Sequence, residues 1–144
     1  MIDLENYIFN NVATSLRTNF PGVLVSGEYL NEPKSFPCVT IEQIASSVVE
    51  DFRTENIENL TAVTFEINVY SNKASGRKAE AKSIINKADE LITALGFTRT
   101  MLNPIPNIAD ATIYRFTARY QAKIDRKVTI SGDSTNETYI IYQN

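Results

Sequence analysis

Along residues 61–124 the apolar positions change period twice, from two to 3.6 and back to two. Val63, Phe65, Ile67 and Val69 alternate with Thr64, Glu66 and Asn68, the pattern of a strand with one buried face. Ala81, Ile84, Ile85, Ala88, Leu91, Ile92 and Leu95 then recur at steps of three and four, which predicts a helix over 75–95. Gly96 follows, where a left-handed cap needs a residue without a side chain. Alternation resumes over 111–124: Tyr114, Phe116, Ala118, Tyr120, Ala122 and Ile124 share one face of a long strand, and Arg115, Thr117, Arg119, Gln121 and Lys123 share the other. An apolar side packs on helices. The basic side is left for another task.

Upstream, Leu4, Ile8, Val12 and Leu16 at steps of four predict an amphipathic helix over 3–19 with Asp3 as its N-cap, stopped by Phe20, Pro21 and Gly22. Residues 23–30 read as a first strand and 31–37 as a turn, because Pro33 and Pro37 cannot donate to a ladder. Val39 and Ile41 resume alternation in a second strand running to about Ala45. Over 46–60 the period fades and acidic residues gather: Glu50, Asp51, Glu55 and Glu58 stand against Arg53. A structureless loop of this length is uncommon in a compact domain, so a projecting hairpin is expected. Residues 97–102 read as a short strand and 103–107 as a loop.

The expectation is therefore α+β: an antiparallel sheet of about four strands, two helices on one of its faces, order α-β-β-β-α-β-β. Residues 1–125 form one domain and 126–144 an extension. The extension combines linker-like residues with the strand-prone Tyr139, Ile140, Ile141 and Tyr142. Such a segment pairs either with its own sheet or with a neighbour's edge.

Composition narrows the chemistry. The 144 residues carry a net charge of -3, which argues against a protein that binds nucleic acid through a basic stripe. No histidine is present and Cys38 is the sole cysteine, so there is no Ser-His or Cys-His pair and no imidazole for zinc. Gly76, Arg77 and Lys78 look like the end of a phosphate loop, but Ser71 stands where its first glycine belongs. The acidic group lacks calcium-loop spacing. An enzyme, a cofactor and a metal site are all not expected. The opening residues lack a basic-then-apolar leader, and no apolar run approaches the length of a bilayer span, so a cytoplasmic protein without membrane contact is expected.

Several stretches resemble the tail terminator and tail-completion proteins of long-tailed bacteriophages. They are the helix over 3–19, Phe36-Pro37-Cys38-Val39-Thr40-Ile41 entering a strand, and Phe65-Glu66-Ile67-Asn68-Val69-Tyr70-Ser71 leading to a helix that ends Leu91-Ile92-Thr93-Ala94-Leu95-Gly96-Phe97. The long strand after a proline-bearing loop completes the likeness, which covers about residues 1–125. The resemblance implies a structural protein of the virion tail, assembled in the bacterial cytoplasm. It would form a ring with itself, a hexamer on this likeness, at the head-proximal end of the tail tube. Its partners would be the tail tube protein and a neck or head-completion protein, with DNA passing through unbound. A neck or head-completion ring is the alternative within the virion, and an α+β small-molecule-binding module the alternative outside it.

A head-to-tail ring joins two different patches of one subunit. Two candidates of opposite charge are the acidic group Glu50, Asp51, Glu55 and Glu58, and the strand face of Arg115, Arg119 and Lys123. Ile113 and the Tyr139, Ile140, Ile141 and Tyr142 segment are the apolar candidates. Ordinary solvated faces are the competing reading of both charged patches.

Overall fold

The structure, a computed structural model, describes residues 4–142 except 31, 49–52, 55, 56, 59, 107–109, 132 and 133, and only the backbone at 48, 53, 54, 57, 58, 60, 125–131 and 134–142. Helix α1 (Glu5–Asn19) leads to the short strand β1 (Leu24–Ser26) and to β2 (Cys38–Val48). Two-residue strands β3 (Arg53–Thr54) and β4 (Ile57–Glu58) precede β5 (Leu60–Ser71). Helix α2 (Arg77–Ala94) follows, then β6 (Thr98–Pro106), β7 (Tyr114–Ser131) and β8 (Ser134–Tyr142).

The main path is a five-strand sheet in the order β1-β2-β5-β7-β6, antiparallel except where β1 runs parallel to β2. The expected antiparallel sheet of about four strands is present as β2, β5, β7 and β6, and β1 joins it in the parallel sense. Residues 27–37 carry the chain back so that Leu24 registers with Cys38, and β1 is only three residues long. Both helices lie on one face, as the alternation in β7 requires. Ile8, Val12, Ala13 and Leu16 of α1 and Ala81, Ile84, Ile85, Ala88 and Ile92 of α2 are buried there. They meet Val39 and Ile41, Val63, Phe65, Ile67 and Val69, and Phe116, Ala118, Tyr120, Ala122 and Ile124. Burying each large aliphatic or aromatic side chain in such a layer contributes about 1.5–3 kcal/mol. Phe65 meets Phe97 edge to face at 5.4 Å between ring centroids.

Helix ends follow local chemistry. The residue before α1 is Leu4, which offers no side-chain acceptor, rather than Asp3, which lies outside the described residues. Glu5 places a carboxylate in the first turn, where the helix dipole favours it. At the other end of α2, Gly96 has φ 106°. Its N–H reaches Thr93 O at 3.0 Å while Phe97 N–H reaches Ile92 O at 3.4 Å, the paired bonds of a Schellman cap.

Three boundaries differ from the pattern. The expected loop over 103–107 is strand as far as Pro106, because β6 is an edge strand and Pro104 and Pro106 can sit where no outward donor is needed. Residues 111–113 form a turn before β7, in which Asp110 Oδ1 accepts from Thr112 N–H at 2.9 Å. The linker-like start of the extension is strand as well: β7 continues to Ser131, and β8 registers antiparallel on it from Lys123↔Tyr142 to Ser131↔Ser134. Of the two pairings open to the C-terminal segment, the structure has the one within the chain. At Lys123, Ile124 and Asp125, β7 is paired with β5 on one side and β8 on the other, so β8 continues the row that β6 begins.

Candidate subunit interface

The face of the sheet away from the helices is built of rungs. β5 and β7 pair Tyr70 with Arg115, Asn68 with Thr117, Glu66 with Arg119, Thr64 with Gln121 and Ala62 with Lys123. On β2 the same rungs carry Cys38, Thr40, Glu42, Ala45 and Ser47. Asn68 is the centre of a bonded network. Its Oδ1 accepts from Thr117 Oγ1 at 2.6 Å and from Arg115 Nη2 and Nε at 2.8 and 3.1 Å. Its Nδ2 donates to Glu66 Oε1 at 3.1 Å and Thr40 Oγ1 at 3.2 Å. A side-chain amide buried to 2% exposure is held there because both its ends are satisfied.

Arg115 therefore has a place inside the chain. Its guanidinium lies over the rings of Tyr29 at 5.2 Å and Tyr70 at 5.4 Å, and Nη1 donates to the Tyr29 hydroxyl at 3.3 Å. Tyr29 belongs to the segment between β1 and β2, and its own N–H donates to Glu42 Oε2 at 3.1 Å. The segment is thus fastened across the open face, over buried Tyr70 and Cys38. Burial pushes the Cys38 thiol up to about 11. Burial likewise raises the Tyr70 phenol far above its ordinary value, against the lowering effect of Arg115.

Arg119 is exposed and its Nε donates to Glu66 Oε2 at 3.0 Å. Lys123 is exposed on the last rung. The face is mixed in sign rather than simply basic, because Glu42 and Glu66 from the neighbouring strands stand among the cations. Reading β7 alone misses them; Glu66 was visible as a polar member of the alternating run 63–69.

Ile113 is half-buried and lines a groove of about 330 Å³ with Pro104, Ile105, Pro106, Tyr114 and Arg115. Of the acidic group, Glu50, Asp51 and Glu55 lie outside the described residues and Glu58 is placed by its backbone in β4. The hairpin expected there has two parts: β2 and β5 stay in register as far as Val48↔Thr61, and Arg53↔Glu58 and Thr54↔Ile57 form a small antiparallel ladder. Tyr139, Ile140, Ile141 and Tyr142 register opposite Arg126, Asp125, Ile124 and Lys123. The structure thus groups Ile113 with Arg115 at one end of β7, and Lys123 with Tyr142 toward the other.

These elements define an α+β protein with one face of its sheet covered by helices and the other carrying a polar, charge-mixed lattice. No protein-family model matches the chain, and no curated protein does. No helix among the described residues is long and apolar enough to cross a membrane.

Proposed function

We propose that this chain is a structural subunit of a long-tailed phage, forming a ring at the head-proximal end of the tail tube that ends tube growth and provides the joint to the head or neck. The observation that carries the reading is the β7–β8 ribbon. β7 has 18 residues, about 60 Å at the usual rise per residue, against a diameter of roughly 35–40 Å for a globule of this length. Beyond Asp125 its registered partner among the described residues is β8. A two-stranded ribbon is marginally stable in water by itself, so one of this length calls for a surface to lie on, and an adjacent subunit in a ring supplies it. The resemblance read over residues 1–125 supplies the tail as the setting, and the mixed-charge face suits a passage that lets DNA slide without holding its phosphates.

Negative-stain images of tail tubes mixed with the protein test the proposal. Ring density on one end of each tube, with the tubes no longer growing when tube protein is added, is the expected result. Bare tube ends would overturn it, and rings on head portals instead would move the subunit to the neck.

A further inference from the structure

We infer that neighbouring copies of this chain join edge to edge into one continuous sheet, the outer edge of β2 in one copy pairing antiparallel with the outer edge of β8 in the next. This deepens the ring reading and rests on it.

Natural sheets protect their edges with prolines, charges, short strands or covering segments. The β6 edge is guarded by Pro104 and Pro106. At the opposite side of the sheet, β1 registers with Cys38, Val39 and Thr40 and no further. The next outward donor of β2, the Gln43 N–H, is closed by Glu5 Oε2 at 2.8 Å. After the bulge between Gln43 and Ala45 the strand continues as Ala45, Ser46, Ser47 and Val48, with neither charge nor proline. Ile44 is 40% exposed, and Ala45, Ser46 and Ser47 are exposed. Among the described residues, no strand registers on this edge. Among the described residues β8 is the other open edge: its nine residues contain no proline and one charge, Glu137, and it registers on β7.

Strand polarity makes the two edges complementary. β5 runs against β2, β7 against β5 and β8 against β7, so β8 is antiparallel to β2 within one subunit. A copy in the same orientation, as cyclic symmetry requires, therefore brings its β8 to β2 in the antiparallel sense. The two edges meet in height at the C-terminal ends of both strands: Ser47 and Tyr142 share a row through Ala62 and Lys123, and Val48 and Ile141 the next through Thr61 and Ile124. The occupant is a second copy of this chain, and the contact is heterologous.

Amide exchange on the full chain, compared between dilute monomer and assembled protein, tests the pairing. Amides within 46–48 and 140–142 that point away from the subunit's own sheet should exchange at least about tenfold more slowly in the assembly. In a Cys38→Ser background, Ser47→Cys combined with Tyr142→Cys, Ile140→Cys or Thr138→Cys should, in at least one combination, oxidise to a ladder of dimers, trimers and larger species. Each single variant should stay uncrosslinked. Dimers from Ser47→Cys alone would show β2 pairing with β2 and overturn the inference. Rings whose two edges exchange as in the monomer would overturn it and leave the ring reading intact. A monomer at every concentration, with or without tubes, would remove both. Protected, crosslinked rings that ignore tail tubes would uphold the edge pairing and remove the tube-capping function.

Discussion

Asn68 sits where a strand former would be expected, between Ile67 and Val69, and its amide ties three strands together. Asparagine is depleted from strand interiors, and that misfit was the one sign of the network in the sequence. The partners Thr40, Thr117 and Arg115 come from strands whose register no local pattern specifies. Replacing Asn68 by Ala removes the acceptor of Thr117 and Arg115 together. Urea unfolding should show a loss of about 2–4 kcal/mol, against less than about 1 kcal/mol for Thr64→Ala on a more open rung. Cys38, Tyr70 and Tyr120 all hold their protons more tightly than in the unfolded chain, Tyr120 through burial and its 2.8 Å bond to Asp89. Because the unfolded chain releases these protons first, stability present at neutral pH should fall as pH rises from the ordinary thiol value of 9.0 toward about 11, and further as the tyrosines titrate. Unfolding midpoints at pH 8 and pH 10.5 check the direction, and equal midpoints would contradict it.

Elements with a sustained period were legible: β5, α2 and the body of β7 follow from alternation and 3.6-residue spacing, and the cap at Gly96 from its place after Leu95. Elements defined by tertiary context were not. Pro104 and Pro106 read as strand breakers until the position of β6 at the sheet edge is known. The polar stretch 126–131 reads as a linker because no local pattern shows that β8, its partner, registers on it. The interface residues divide in the same way. Arg119 and Lys123 are exposed as their spacing implied, whereas the role of Arg115 between Tyr29 and Tyr70 depends on a loop from another part of the chain. At this scale the acidic segment has a direct test. Val48 and Thr61 are paired, so an Asn-Gly turn joining them in place of residues 49–60 should close the hairpin. The shortened monomer should unfold within about 1 kcal/mol of the parent and lose its higher-order species. Failure to fold would assign the segment to the core.

On the scale of the whole molecule, the helices commit one face of the sheet to the core and leave the other face and two edges for neighbours. Edge pairing supplies backbone hydrogen bonds, and exposed charges set register while adding only about 0–1 kcal/mol each. Arg119→Glu with Lys123→Glu should therefore weaken assembly while changing monomer stability by less than about 1 kcal/mol, as read by sedimentation and urea unfolding. Arg115 is left in place in that variant because the Asn68 network needs it. A head-to-tail contact closes into a ring or grows without limit, and the two differ in mass. Light scattering across a concentration series is the most direct measurement of the central claim. One plateau mass at a fixed multiple of 16.2 kDa, reached alone or on adding tail tubes, is the result expected of a closed ring. A mass that stays at one subunit throughout, or climbs with concentration without a plateau, would contradict it.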